Sequence, residues 1–194
     1  MDFSVEAKYP IKIFQNNDLD CSWVTIQVGW DLKRLDLHEV SKFAIYFLEM
    51  HPNIINEWIS EFIFEVKDYE VEELLRNIFK SLKLDFPIKQ SSLWNQEWRK
   101  WRYCIMSEMV KQILDIQELL VRVEGVYADF GYPQDMEHLI YYMPSNEANN
   151  QGLEEACINL VKKINVFLQE ERERIDKGCD TLPRISYIGE DDVL

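Results

Sequence analysis

The sequence predicts an all-α fold: a single compact domain of about seven or eight packed helices with an irregular N-terminus and a C-terminal tail. Three observations predict it. Apolar residues recur every three or four positions, capping residues precede several of these stretches, and almost none of the chain alternates as a strand does. The 194 residues, 47% of them hydrophobic, are enough to bury a core. We therefore expect one helical domain at residues 1–178, with a candidate hinge at 83–92, and an acidic tail at 179–194.

The chain begins irregularly and then shows two helix starts. Ile11 and Ile13 alternate as a brief strand would, and Ser22 is placed to cap a short helix. Asp36, with Glu39 three residues later, has the form of a capping box. The helix that follows is expected to end at the His-Pro pair at 51–52.

Two more helices are predicted before the first long connection. Asn53 begins one whose apolar stripe includes Ile55, and Asp68 caps another that continues to Leu82. Residues 83–92 include a proline and lack periodicity, which makes them the candidate hinge.

The second half of the chain predicts one aromatic helix and several that follow it. Trp94, Trp98, Trp101 and Ile105 are spaced four, three and four residues apart, so they share one helix face. The Arg and Lys residues between them are expected to point elsewhere, with the tryptophans in the core. Asp115 repeats the capping-box pattern, and a last long helix is expected between the polar loop at 144–152 and residues 177–178.

The charge balance excludes several classes of ligand. The net charge is −14, with 35 acidic and 21 basic side chains, whereas nucleic acids and anionic membranes need a basic surface. No stretch approaches the roughly 20 apolar residues of a membrane helix, and the first residues do not have the pattern of a secretory signal. We expect a cytoplasmic protein that binds neither nucleic acid nor membrane.

The four cysteines lack a C-x-x-C pair, and we expect reduced thiols, with Cys104 in the core.

Motifs of catalysis are missing from the sequence. There is no nucleophile elbow, no glycine-rich phosphate loop and no dinucleotide fingerprint, so we expect no cofactor and favour a non-enzymatic protein. Asp129, Asp135 and His138 form the densest polar constellation, and they are the ligands of an alternative hypothesis, a metal-dependent hydrolase. A helix end followed by a helix start explains the same segment, since Gly131 suits the end of one helix and Pro133 the start of the next.

Two segments resemble a family of small bacterial proteins known only as a domain of unknown function. The first segment, residues 98–105, is Trp-Arg-Lys-Trp-Arg-Tyr-Cys-Ile. The second, residues 127–136, is Tyr-Ala-Asp-Phe-Gly-Tyr-Pro-Gln-Asp-Met and is closed by Tyr-Tyr-Met-Pro at 141–144. The resemblance extends from about Trp23 to about Ile175. It implies no established activity and no catalytic residues.

Small, acidic, aromatic-rich proteins of this kind look like immunity proteins that neutralise bacterial toxins. The leading hypothesis is therefore an acidic, non-enzymatic inhibitor whose partner is a basic protein such as a toxin domain. Its expected contact surface consists of acidic residues spaced three or four apart: Glu57, Glu61, Glu65, Asp68 and Glu72. A solvated helix face explains the same spacing, and an uncharacterised helical scaffold remains a further alternative.

Overall fold

The computed structural model describes residues 7–64, 66–140 and 153–183. Within these ranges the chain forms eight α-helices and one 3-10 helix, and no β-strand. The helices are α1 (Lys12–Gln15), α2 (Trp23–Asp31), α3 (Leu37–Met50), α4 (Glu57–Glu61), α5 (Asp68–Leu82), α6 (Ser92–Gln112), α7 (Ile116–Asp129), the 3-10 helix (Gln134–Leu139) and α8 (Leu153–Asp176). The all-α prediction is confirmed.

Side-chain caps begin three of these helices at predicted positions. The Thr25 backbone N–H donates to the Ser22 hydroxyl at 3.4 Å at the start of α2. Asp36 accepts from the backbone N–H of Glu39 at 2.9 Å to begin α3, and Asp115 caps α7 in the same way. Each cap satisfies a backbone donor that has no partner inside its own helix.

Three local predictions are wrong. Ile11 and Ile13 do not begin a strand, because residues 12–15 form the single turn of α1, which buries Ile13 and Phe14. The helix expected from Asn53 begins at Glu57 after the cap Asn56, so Ile55 lies before it and is 99% exposed. Asp68 is the first residue of α5 rather than its cap.

The chain divides into two compact units, and the division falls between Trp98 and Arg99 inside α6. We call residues 7–98 the N-terminal unit. Its core includes Trp23, whose ring meets that of Phe43 edge-on with centroids 4.9 Å apart, and α4 packs against both α3 and α5. This packing fixes the surface on which the predicted acidic residues lie.

The C-terminal unit comprises the described residues from Arg99 to residue 183. In it α7 packs against α8, and the 3-10 helix packs against both. Its core contains fully buried side chains from four elements, among them Trp101, Val123, Met136 and Ile164. The expectation of one domain at 1–178 with a hinge at 83–92 stays a prediction, as does the separate tail at 179–194, of which residues 184–194 lie outside the described ranges.

The tryptophan stripe of α6 is buried as predicted. Trp94, Trp98, Trp101 and Ile105 are each no more than 7% exposed. None of the described helices combines the length and the apolar character needed to cross a membrane.

Candidate functional site

The predicted acidic residues divide between α4 and α5. Glu57 and Glu61 are one turn apart on α4, and Asp68 and Glu72 are one turn apart on α5. All four are exposed, and none forms an ion pair with another residue of the described ranges. Glu65, the fifth predicted residue, lies outside those ranges. We call the four described residues the acidic surface.

Large apolar side chains are exposed in the segment that follows α4 and in the first turn of α5. Ile63 is 50% exposed, Phe64 72% and Tyr69 74%. The Lys67 ammonium lies 5.7 Å from the centroid of the Tyr69 ring. Single exposed apolar residues are ordinary, but three within seven residues is the kind of feature that marks an interaction site. We call these three the exposed apolar group; their spacing in the sequence gives no sign of their exposure.

The three residues of the metal hypothesis lie on two elements, α7 and the 3-10 helix. Asp129 ends α7, Asp135 is in the first turn of the 3-10 helix, and His138 is exposed near the end of that helix. Partial desolvation and the charge of Lys163 lower the pKa of His138. Among the described residues, no three His, Cys, Asp or Glu side chains are arranged to hold a metal ion. The hydrolase stays a hypothesis that this geometry does not support.

Asp135 instead belongs to a cluster of ions in the C-terminal unit. Arg102 donates to its two carboxylate oxygens at 2.8 and 2.9 Å, and also to Oε1 of Glu171 at 2.6 Å. Arg99 donates from Nη1 to both oxygens of Glu171, at 3.0 and 2.7 Å. We call Arg99, Arg102, Asp135 and Glu171 the buried ion cluster, because the side chains of Arg102 and Glu171 are 0% exposed.

Each arginine of the cluster makes a further contact. The Arg102 guanidinium lies 5.0 Å from the centroid of the Phe167 ring. Burial alone would lower the pKa of Arg102, but the charges of Glu171 and Asp135 and their hydrogen bonds outweigh it and raise the pKa. Arg99 donates to the carbonyl oxygen of Thr181, from Nε at 3.0 Å and also from Nη2. The cluster therefore joins α6, the 3-10 helix, α8 and the segment that follows α8.

The expectation that the basic residues of α6 all point away from the core is wrong for Arg99 and Arg102. Their partner Glu171 lies about 70 residues away, so helical spacing gave no sign of it. The cluster connects elements of the C-terminal unit, since its carboxylates and guanidiniums are paired with each other. Arg102 belongs to one of the two segments of the family resemblance and Asp135 to the other, so these hydrogen bonds link the two segments in this chain.

The buried thiol of Cys104 is a poor nucleophile. Burial raises the pKa of the Cys104 thiol to about 12, and its side chain is fully enclosed, which confirms its predicted place in the core. A thiol with that pKa is protonated at neutral pH and reacts slowly.

Comparison with known proteins agrees with the resemblance carried by the motifs. A family model described as "Uncharacterized protein conserved in bacteria (DUF2247)" matches residues 11–172, which is most of the chain. No curated protein and no solved structure matches it. The chain therefore belongs to the DUF2247 family of uncharacterised bacterial proteins.

Proposed function

We propose that this protein is an immunity-type inhibitor that binds a basic surface of a bacterial toxin without catalysing a reaction. The binding surface in this proposal is the acidic surface of α4 and α5 together with the exposed apolar group. The observation that carries the proposal is the exposure of Phe64 and Tyr69 beside Glu61 and Asp68.

Aromatic side chains supply much of the binding energy of protein interfaces. A few well-packed anchors dominate most interfaces, and tyrosine is among the residues enriched there. Phe64 and Tyr69 expose most of their surface in the free protein, at 72% and 74%. A partner that covers both rings would remove a large apolar area from water.

The acidic residues would then set the rate and the choice of partner. Complementary potentials speed association by about 10 to 1,000-fold at low salt and disfavour partners of like charge. A net charge of −14 suits a partner with a basic cleft, as in many nucleases. The four carboxylates of the acidic surface are available for this because no described cation pairs with them.

The test uses the whole protein as bait in lysate of its native host, at low and at high salt. We expect one basic protein to be captured at low salt and released as salt rises. The charge-reversal variant Glu61→Lys, Glu65→Lys, Asp68→Lys should lose it. Co-expression of the two genes should then relieve the growth defect that the captured protein causes when it is expressed alone.

A second triple variant controls for overall charge. Glu118→Lys, Glu155→Lys and Glu173→Lys change the net charge equally, at exposed positions of the C-terminal unit. This variant should retain the partner. If both variants bind alike, the proposed surface is wrong, and if the captured protein is not toxic, the immunity function is wrong.

A further inference from the structure

An open pocket of about 490 Å³ lies at the start of α4, in the N-terminal unit. Its volume is within the range of roughly 300–1,000 Å³ typical of pockets that hold small molecules or inserted side chains. Eight residues line it: Asn53, Ile54, Ile55, Asn56, Glu57, Trp58, Ser81 and Leu82. We propose that this pocket binds the guanidinium group of an arginine side chain presented by the protein partner, an inference that rests on the proposed function.

The wall of the pocket is held in place before any ligand arrives. Asn56 is only 7% exposed, and its Nδ2 donates to the Ser81 hydroxyl at 2.7 Å, which ties the start of α4 to the last turn of α5. Ser81 in turn donates to the carbonyl oxygen of Ile78 at 2.9 Å. A ligand therefore meets a formed cavity and does not have to order it, which lowers the cost of binding.

The charges around the pocket favour a cation. Glu57 is the only ionisable residue in its lining, and Glu61 follows one turn later on the same helix. Ser81 and Leu82 belong to the last turn of α5, where helix carbonyls carry partial negative charge. The neighbouring cations in the chain, Lys80 and Lys83, are exposed and do not line the cavity.

The other groups at the pocket favour a planar cation over an anion. Trp58 is half-buried in the lining and offers an indole ring, the aromatic side chain that attracts cations most strongly. The backbone N–H of Ile59, a donor that an anion would need, is already bonded to Asn56 Oδ1 at 3.2 Å. A guanidinium can donate to a carboxylate and stack on a ring at the same time, whereas an ammonium is a point charge.

The test titrates the full-length protein with N-acetyl-argininamide and follows backbone amide and indole N–H signals by NMR. We expect saturable shifts at Trp58, Asn56 and Ser81, with a dissociation constant in the millimolar range typical of a single side chain. The neutral analogue N-acetyl-norleucinamide should cause no saturable shift there. Equal responses to the two compounds, or no saturation with argininamide, would overturn the proposal.

A pair of variants locates the site. Glu57→Gln removes the carboxylate of the pocket and should weaken argininamide binding about fivefold or more. Glu73→Gln removes an exposed carboxylate of α5 outside the lining and should leave binding unchanged. Thermal unfolding verifies that both variants are folded. If the folded Glu57→Gln variant binds argininamide as tightly as the unmodified protein does, the proposal is overturned.

The pocket and the proposed function can fail separately. A toxin captured through the acidic surface, with no argininamide response, would retain the function and refute the pocket. Saturable argininamide binding by a protein that captures no toxin would retain the pocket and refute the immunity function.

Discussion

Glu171 holds the buried ion cluster together, because it accepts hydrogen bonds from both Arg99 and Arg102 while its own side chain is fully enclosed. Glu171→Gln would leave two buried guanidiniums without that anion. Removing one partner of a buried pair costs about 3–5 kcal/mol, so we expect this variant to lower the free energy of unfolding by that amount. Urea denaturation at neutral pH measures it.

The same helix provides the control. Glu173 is two residues away, its side chain is 56% exposed, and among the described residues its carboxylate pairs only with Lys177, at 3.4 Å. Glu173→Gln makes the same chemical change and should cost less than about 1 kcal/mol. If the two variants are equally stable, the cluster does not contribute as its burial indicates.

The cysteines should differ sharply in reactivity. Hydrogen bonds from the Thr181 hydroxyl and backbone lower the pKa of Cys179, which is partly exposed, whereas burial raises that of Cys104 to about 12. We expect iodoacetamide at pH 7.5 to alkylate Cys104 at least about 100-fold more slowly than Cys179. Peptide mass spectrometry gives both rates, and in urea the difference should vanish. Equal rates in the folded protein would contradict the burial of Cys104.

Residue-level prediction from sequence works where the cause is local. The spacing of Trp94, Trp98 and Trp101 places them on one face, and all three are buried. It fails for Arg99 and Arg102, since their burial depends on carboxylates supplied by α8 and the 3-10 helix. Glu171 sits in a run of charges that is typical of a solvated helix end, so nothing local distinguishes it from its neighbours.

Two glycines differ in their position relative to a helix: one lies inside a helix and the other follows a helix end. Gly125 lies inside α7, exposed, and a Cβ added there would meet no atom within 4 Å. Gly178 follows α8 with φ at +66°, and the N–H of Cys179 there bonds to the carbonyl of Arg174 at 2.9 Å. This is the left-handed conformation in which helices commonly end.

The same substitution should therefore have opposite effects at these two positions. Gly125→Ala should raise the free energy of unfolding by about 0.5–1 kcal/mol, because alanine loses less backbone entropy. Gly178→Ala should lower it by about 1 kcal/mol, because a side chain disfavours the left-handed region. Thermal and urea unfolding of the two variants measure the difference. A Gly178→Ala variant as stable as Gly125→Ala would show that the end of α8 adopts another conformation.

Helix boundaries are predicted correctly from the sequence where a capping residue is present and the apolar stripe is long. Asp36 and Asp115 cap helices of 14 residues each, and both were predicted. The apolar pattern after Asn53 predicted too long a helix, because α4 has five residues and Ile55 lies outside it. The pocket lies at the start of α4, which is the boundary that periodicity misplaced.

For the whole molecule, the net charge of −14 destabilises the folded state, whereas it would favour association with the proposed basic partner. Like charges repel within the compact state, and added salt screens that repulsion, so salt should stabilise the fold. Between 10 and 100 mM salt the screening length falls from about 30 Å to about 10 Å. The attraction between this protein and the proposed basic partner would be screened over the same range, so their association should slow.

We expect the midpoint of thermal unfolding to rise between 10 and 200 mM NaCl, by about 2–4 °C for each kcal/mol of repulsion relieved. The variant Glu61→Gln, Glu72→Gln removes two negative charges that pair with no cation of the described residues, so its midpoint should be higher at 10 mM and should rise less. Calorimetry at several salt concentrations measures both midpoints. A midpoint that falls with salt would mean that ion pairs outweigh repulsion in this fold.

The same two carboxylates belong to the proposed contact surface, so this variant should also associate more slowly with the proposed partner at low salt. If the variant is more stable but associates more slowly, these acidic residues contribute to binding and not to folding.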